Sequence, residues 1–267
     1  MPPSPSGAPP CVELRDVDLR YFGRDGETEA LKGISLSVAP GEFVAVIGQS
    51  GCGKSTLLSL IAGIMQPTAG AVLVDGKPVT GPSRKVGYML QQDFLFEWRT
   101  ILENTVLGAE IQGADPAKAR ARATQLLTRY GLGEFLHHRP RQLSGGMRQR
   151  VALARTLVTE PDIVLLDEPF SALDSQTRLA LADEVSEILR RERKTAILVT
   201  HDLGEAISMA ERVVVLSRRP GRVKSDRPIR FATPDGVRPA PFAARNASEF
   251  NGYFNTLWQE LEVHVEG

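Results

Sequence analysis

The stretch from Gly48 to Thr56 is rich in glycine and ends in Lys-Ser-Thr, and it matches the pattern of a glycine, four free positions and Gly-Lys-Ser. Its residues are Gly48, Gln49, Ser50, Gly51, Cys52, Gly53, Lys54, Ser55 and Thr56. Glycines allow successive backbone N–H groups to approach phosphate oxygens without a Cβ in the way. Lys54 would bind the β- and γ-phosphates, and the Ser55 hydroxyl would ligate Mg²⁺. This stretch, called the P-loop below, therefore predicts a site for a nucleoside triphosphate.

Two carboxylates and a histidine follow apolar runs further along the chain. Asp167 and Glu168 come after 163–166, and His201 comes after 194–200. Side chains alternate at a strand end, so Asp167 could reach Mg²⁺ through its water shell while Glu168 polarises an attacking water. Ligands bind at the carboxyl ends of strands in open α/β sheets, which would bring His201 to a γ-phosphate. These residues predict hydrolysis of the nucleotide.

Apolar runs are predicted to be the strands that position these groups. The runs are 43–47, 163–166 and 194–200, and such runs are typical of buried parallel strands. Apolar residues at helical spacing follow the P-loop, which therefore joins a strand to a helix. Alternating apolar residues between 11 and 38, and the run 71–74 before Asp75-Gly76, predict further strands and a hairpin turn. The chain is predicted to be an α/β protein.

Three features have two interpretations each. Tyr21, at the end of a predicted strand, could stack on an adenine ring or be an ordinary strand aromatic. Ser144, Gly145 and Gly146 open a predicted helix, and they are either a second anion-binding candidate or an ordinary cap and turn. The basic segment 217–224 is a solvated turn, or it is attracted to anionic lipid.

The composition bears on the class of protein, and the even charge weakens a nucleic-acid-binding role without excluding it. Lys and Arg number 32, as do Asp and Glu, so no charge imbalance points to nucleic acid. The two cysteines are expected to be reduced thiols of a cytosolic protein, since a disulfide would tie down the P-loop. The sequence contains no run of 18 apolar residues, so it predicts no membrane span. Residues 1–10 are rich in Pro, Ser and Gly and are expected to be a disordered tail.

The octapeptide from Leu143 to Arg150, which reads Leu-Ser-Gly-Gly-Met-Arg-Gln-Arg, is the most distinctive feature after the P-loop. Together with the P-loop and the Asp-Glu pair, in this order, it makes residues 11–225 resemble an ABC-type ATPase. The resemblance implies a P-loop NTPase fold with a RecA-like parallel-sheet core, an N-terminal antiparallel β subdomain and an inserted helical subdomain at about 92–158. The ATPase domain would span 11–219, followed by a short extension at 220–267.

The same resemblance implies a role for each site residue. Tyr21 would stack on adenine, and Gln91 would sense Mg²⁺ and the lytic water. Glu168 would be the catalytic base, Asp174 an interface aspartate and His201 the γ-phosphate switch. It also implies a head-to-tail dimer, in which Ser144 and Gly146 of one copy complete the site around Lys54 of the other.

Within this family the chain is similar to the importer subfamily for nitrate, sulfonate, taurine and thiamine-pyrimidine precursors. The resembling residues are Met147, Trp98-Arg99-Thr100, Glu103-Asn104 and Arg219-Pro220-Gly221-Arg222, while Glu97 replaces the usual proline. This resemblance implies a peripheral protein on the cytoplasmic face of the inner membrane, with a permease and, indirectly, an external solute-binding protein as partners. Phe94, Phe96 and Trp98 either form the groove for a permease helix or pack inside the helical subdomain.

Two other classes of protein remain as alternatives. An ABC ATPase of DNA repair, translation or the cell envelope would move no substrate. An unrelated phosphate-loop kinase or GTPase would leave residues 143–150 without a function. Association with an integral-membrane protein favours transport, whereas association with DNA or ribosomes favours the first alternative.

Overall fold

The structure is a computed structural model that describes residues 9–23, 26–233 and 237–261. Most of the predicted tail 1–10, and the Arg24-Asp25 tip of the first predicted turn, lie outside these ranges. The strands are β1 (Val12–Gly23), β2 (Gly26–Val38), β3 (Phe43–Ile47), β4 (Ala69–Val74), β5 (Lys77–Pro78), β6 (Val86–Met89), β7 (Ile163–Asp167), β8 (Thr195–Thr200), β9 (Arg212–Leu216) and β10 (Val223–Pro228). The helices are α1 (Lys54–Ile61), α2 (Ile101–Ile111), α3 (Pro116–Arg129), α4 (Gly145–Leu157), α5 (Ser175–Arg191), α6 (Leu203–Met209), α7 (Pro241–Arg245) and α8 (Phe250–Leu261).

The chain divides into two compact units, and the first consists of residues 1–83 and 182–267. It contains an antiparallel sheet in the order β2-β1-β4-β5 and four strands in the order β10-β9-β3-β8. β3 pairs in parallel with both β8 and β9, and every residue of β3 and β8 is buried. The apolar runs at 43–47 and 194–200 thus form buried parallel strands, as predicted, although the second strand begins one residue later, at Thr195.

The second unit comprises residues 84–181. In it β6 pairs in parallel with β7, and α2 packs against α3 and α4. The start of α3 follows the local signals, because Asp115 caps it through the N–H groups of Ala117 and Lys118 and Pro116 occupies its first turn. The fold-class prediction is confirmed, whereas the domain boundaries, including 92–158 for the helical subdomain, stay predictions.

Candidate nucleotide-binding site

The P-loop connects β3 to α1, and its first carbonyl groups accept hydrogen bonds from its own lysine. The Lys54 ammonium donates to the carbonyl oxygens of Gly48, at 2.8 Å, and Gln49, at 3.0 Å. Gly53 has φ 104°, and a Cβ there would lie 2.5 Å from the Leu31 Cδ2 atom. A side chain is therefore excluded at this turn by both conformation and space. The result is a backbone loop at a helix N-terminus, which is the arrangement that binds phosphates.

His201 leaves the same edge of the sheet as the P-loop. Ile47 and Thr200 are paired in parallel register, so the residues that follow them start side by side. The turn at His201 is rigid, because the Thr200 hydroxyl donates to the Glu205 carboxylate at 2.6 Å and accepts from the Asp202 N–H at 3.0 Å. Asp202 in turn caps α6 through the Glu205 N–H. The first unit thus brings His201 to the P-loop edge.

Tyr21 lies near the end of β1 and contacts the last residue of the P-loop. Its hydroxyl is 3.0 Å from the Thr56 hydroxyl, and it also donates to the Met65 sulfur at 3.6 Å. The side chain remains 41% exposed. The contact anchors the phenol beside the P-loop, and the stacking role stays a prediction.

In the second unit, Gln91 and Glu168 come together. Met89 and Leu166 are paired in parallel register, so the segments after them leave the same edge. The Gln91 amide donates to the Glu168 carboxylate at 3.1 Å. Glu168 has φ 46°, a left-handed conformation that a residue with a Cβ seldom adopts. The backbone of Glu168 is therefore strained and its carboxylate is held by a glutamine amide, an arrangement that would suit a positioned general base.

Asp167 is the last residue of β7 and is buried, with 3% exposure. The Tyr88 hydroxyl donates to its Oδ2 atom at 3.3 Å, which orients the carboxylate. The predicted run 163–166 therefore extends by one residue, and its terminal carboxylate belongs to the strand itself. No local pattern in the sequence indicates this role of Tyr88, because its partner lies 79 residues away.

The octapeptide forms the start of α4. Ser144 is the N-cap, and its hydroxyl accepts from the Met147 N–H at 3.3 Å. A Cβ at Gly146 would lie 2.6 Å from the Leu173 Cδ2 atom, so a larger residue there would require the Leu173 side chain to shift. Asp174 accepts from the N–H groups of Gln176 and Thr177 in the first turn of α5, and its hydrogen bonds with Thr177 lower its pKa. These contacts are helix caps, and the interface roles of Ser144, Gly145, Gly146 and Asp174 stay predictions.

Two arginines of α4, Arg148 and Arg155, hold the segment that follows Gln91, and together they are called the arginine clamp. The Arg148 Nε atom is 3.0 Å from the Asp93 carboxylate. The Arg155 guanidinium donates to the Phe94 carbonyl at 2.9 Å and also to the Asp93 carbonyl. Phe94 has φ 42°, so the held backbone is strained. The sequence offered no signal for this clamp, because its partners lie 55 to 62 residues apart.

The aromatic segment 94–98 is largely exposed, and it is held by local contacts. Phe94 is 57% and Trp98 69% exposed, and the rings of Phe96 and Trp98 stack with centroids 4.7 Å apart. Fully buried Asn104 accepts from the Phe96 N–H at 2.7 Å and donates to its carbonyl at 3.1 Å. Thr100 and Glu103 form a capping box at the start of α2.

The chain is similar to known ATP-binding proteins. The family profile described as ABC transporter matches residues 31–171. A nitrate import ATP-binding protein, NrtD, of Synechocystis sp. is 42% identical over 80% of this chain and 81% of its own length. A taurine import ATP-binding protein, TauB, of Burkholderia pseudomallei is 43% identical over 82% of this chain and 84% of its own. A solved dimer of the ATP-binding cassette MJ0796, in a post-hydrolysis state bound to ADP and Pi, is 34% identical with a TM-score of 0.75, and the match covers 83% of this chain and all of that one.

Proposed function

Since this chain belongs to the ABC transporter family of ATP-binding proteins, we propose that it hydrolyses ATP to energise a membrane importer of a small anion or a pyrimidine precursor. The observation that carries the hydrolytic role is the Gln91–Glu168 contact of 3.1 Å at the carboxyl ends of two parallel strands. Glu168 is the general base for the attacking water, and Gln91 orients that water. Lys54 and the P-loop N–H groups bind the phosphates, Tyr21 stacks on adenine, and His201 contacts the γ-phosphate.

Magnesium fits the residues present. Mg²⁺ prefers oxygen ligands and keeps several waters. The Ser55 hydroxyl and the Gln91 amide oxygen would bind it directly, and Asp167 would bind it through water. In the described ranges, no group of three or more His, Cys, Asp and Glu side chains could hold a metal ion. Because Mg²⁺ in nucleotide sites is bound by few protein oxygens together with the substrate phosphates, the nucleotide's own phosphate oxygens would complete the coordination. The ion would neutralise charge on the phosphates during transfer.

The protein acts as a head-to-tail homodimer in this proposal. The related MJ0796 cassette is dimeric in its solved structure. Ser144, Gly145 and Gly146 at the N-terminus of α4 offer backbone N–H groups to the γ-phosphate held by Lys54 of the other copy, and Asp174 lies at the interface. Closing and opening of two such half-sites would couple hydrolysis to motion of a transporter.

The partner in the membrane is a permease subunit. Within the described part of the chain, no helix is both long and apolar enough to cross a bilayer. We infer a peripheral position on the cytoplasmic face, with Phe94, Phe96 and Trp98 receiving a short permease helix. The names of the nitrate and taurine relatives support a small anion as cargo. An external solute-binding protein would deliver that cargo to the permease.

Two measurements test the proposal. Glu168→Gln should bind ATP, form a dimer in gel filtration and lose nearly all turnover, since the base is removed and the nucleotide contacts remain. Rapid hydrolysis by this variant would remove Glu168 from its role. Affinity purification from native membranes should recover an integral-membrane protein, whereas recovery of ribosomes or DNA would favour an ABC ATPase that moves no substrate.

A further inference from the structure

We propose that the C-terminal part of the chain positions the P-loop for ATP, through the turn 217–222 between β9 and β10 and through the end of α8. This inference rests on the proposed function, because it concerns the affinity of the same site for ATP. We call these two elements the P-loop support. This turn belongs to the basic segment 217–224, whose sequence allows a solvated turn or a lipid-binding segment, and its contacts point to a further function.

The first contact holds the side chain of Gln49, the second residue of the P-loop. The Arg218 Nε atom donates to the Gln49 amide oxygen at 3.0 Å. The Gln49 amide nitrogen donates to the carbonyl oxygen of Leu261, the last residue of α8, at 3.2 Å. Both ends of the amide are therefore bound by the C-terminal part of the chain.

The second contact is a close approach of backbones. A Cβ on Gly221 would lie 2.2 Å from the carbonyl oxygen of Cys52, so the turn presses directly on the P-loop. Gly221 is itself fixed to β2, because its N–H donates to Ala30 at 2.9 Å and its carbonyl accepts from Lys32 at 3.0 Å. The turn is thus fixed directly against the P-loop, and only glycine fits at position 221.

The end of α8 is fastened to the same hairpin. The Glu260 carboxylate binds the side chains of Ser225 and Arg227 on β10, and the Glu260 carbonyl accepts from the Lys224 ammonium. Leu257, one turn earlier, is fully buried. The carbonyl that Gln49 binds therefore has a fixed position.

The consequence concerns the lysine. The carbonyl of Gln49 accepts from the Lys54 ammonium at 3.0 Å and from the Cys52 N–H at 3.3 Å. Fixing the Gln49 side chain therefore also fixes the backbone group that places the cation. Without the P-loop support, ATP binding would have to order this loop, and the entropy cost would lower the affinity. The base and the water-orienting glutamine lie elsewhere in the chain, so the turnover rate should change little.

The experiment measures ATP binding and hydrolysis on the full-length chain. Arg218→Ala removes the donor to Gln49, and Glu260→Ala removes the carboxylate contacts of α8 with Ser225 and Arg227 without touching the P-loop. Each should raise the Kd and the KM for ATP by about three- to tenfold, the loss of one to two hydrogen bonds, with kcat within about twofold. Arg218→Lys should recover part of the affinity. Arg219→Ala, which removes the adjacent exposed arginine, is the matched control and should bind ATP like the wild type.

Isothermal titration calorimetry separates this inference from the proposed function. A wild type that binds ATP without hydrolysing it would contradict the proposed function, while the variants could still be compared by Kd. If Arg218→Ala and Glu260→Ala lower only the melting temperature and leave the Kd unchanged, the support is merely structural and the inference is wrong. If one variant does not fold, the Kd of the other decides.

Discussion

Removal of the Arg155 guanidinium should uncouple ATP hydrolysis from ATP binding. Arg155 donates to the carbonyls of Asp93 and Phe94, and Gln91 lies two residues before that segment. Arg155→Met retains most of the apolar stem and deletes both hydrogen bonds. The freed segment should leave its left-handed conformation at Phe94, where φ is 42°, and Gln91 should lose its fixed distance to Glu168.

The expected loss of stability in Arg155→Met is the balance of opposing contributions. Hydrogen bonds to a charged group contribute about 1.5–3 kcal/mol each, and the bond to Phe94 lies near the surface, which favours the lower end. Relaxation of the strained residue returns about 1 kcal/mol. Burial lowers the pKa of Arg155, while the charge of Asp93 acts in the opposite direction. Because the guanidinium is partly desolvated, its removal also returns free energy. The net loss of stability should be about 1–3 kcal/mol, or a melting temperature lower by roughly 3–10 °C for a chain of this size.

The assay compares Arg155→Met and Arg155→Lys with the wild type in calorimetry, thermal unfolding and steady-state ATPase measurements. The Met variant should retain its ATP affinity within about twofold and lose at least tenfold in kcat, since one orienting group of the attacking water is displaced. The Lys variant should fall between them, because it keeps the charge and can donate to one carbonyl. An Arg155→Met variant with wild-type kcat and a lower melting temperature would refute the positioning role of Arg155.

Three further predictions concern single residues. Gly221→Ala should weaken ATP binding more than Arg218→Ala does, because the new Cβ would meet the Cys52 carbonyl at 2.2 Å; equal Kd values in calorimetry would contradict this. Cys52 should react slowly with iodoacetamide at pH 8, since burial raises the pKa of its thiol against the lowering effect of Lys54 and the side chain is 1% exposed. Complete labelling of the native protein within minutes, followed by mass spectrometry with urea-unfolded protein as control, would show that reasoning to be wrong. Trp98→Glu should abolish transport in vesicles and spare basal ATPase activity, whereas a variant that fails to fold would indicate that Trp98 is needed for packing.

The groups that follow strands were predictable from the sequence. The P-loop is a contiguous stretch between a buried strand and a helix, so its function depends on neighbours within a few residues. Within each unit the same logic brings His201 to the edge that the P-loop leaves and Glu168 to the edge that Gln91 leaves, since paired parallel strands end side by side. The caps at Asp115 and Ser144 are likewise local, because a cap needs a partner only two or three residues away.

Only the tertiary structure showed what holds these groups in place. Arg155 and Arg218 look like ordinary exposed arginines in the sequence, because periodicity does not reveal a partner far along the chain. Their partners lie 61 to 169 residues away, and the amide of Gln49 binds a carbonyl 212 residues away. A hydrogen bond depends on distance in space and contributes nothing until the fold has closed the intervening chain. Short motifs therefore determine which chemical groups are present, because each motif is contiguous in the chain. The tertiary structure decides their positions: α8 and the turn 217–222 hold the P-loop in the first unit, and α4 holds the segment after Gln91 in the second.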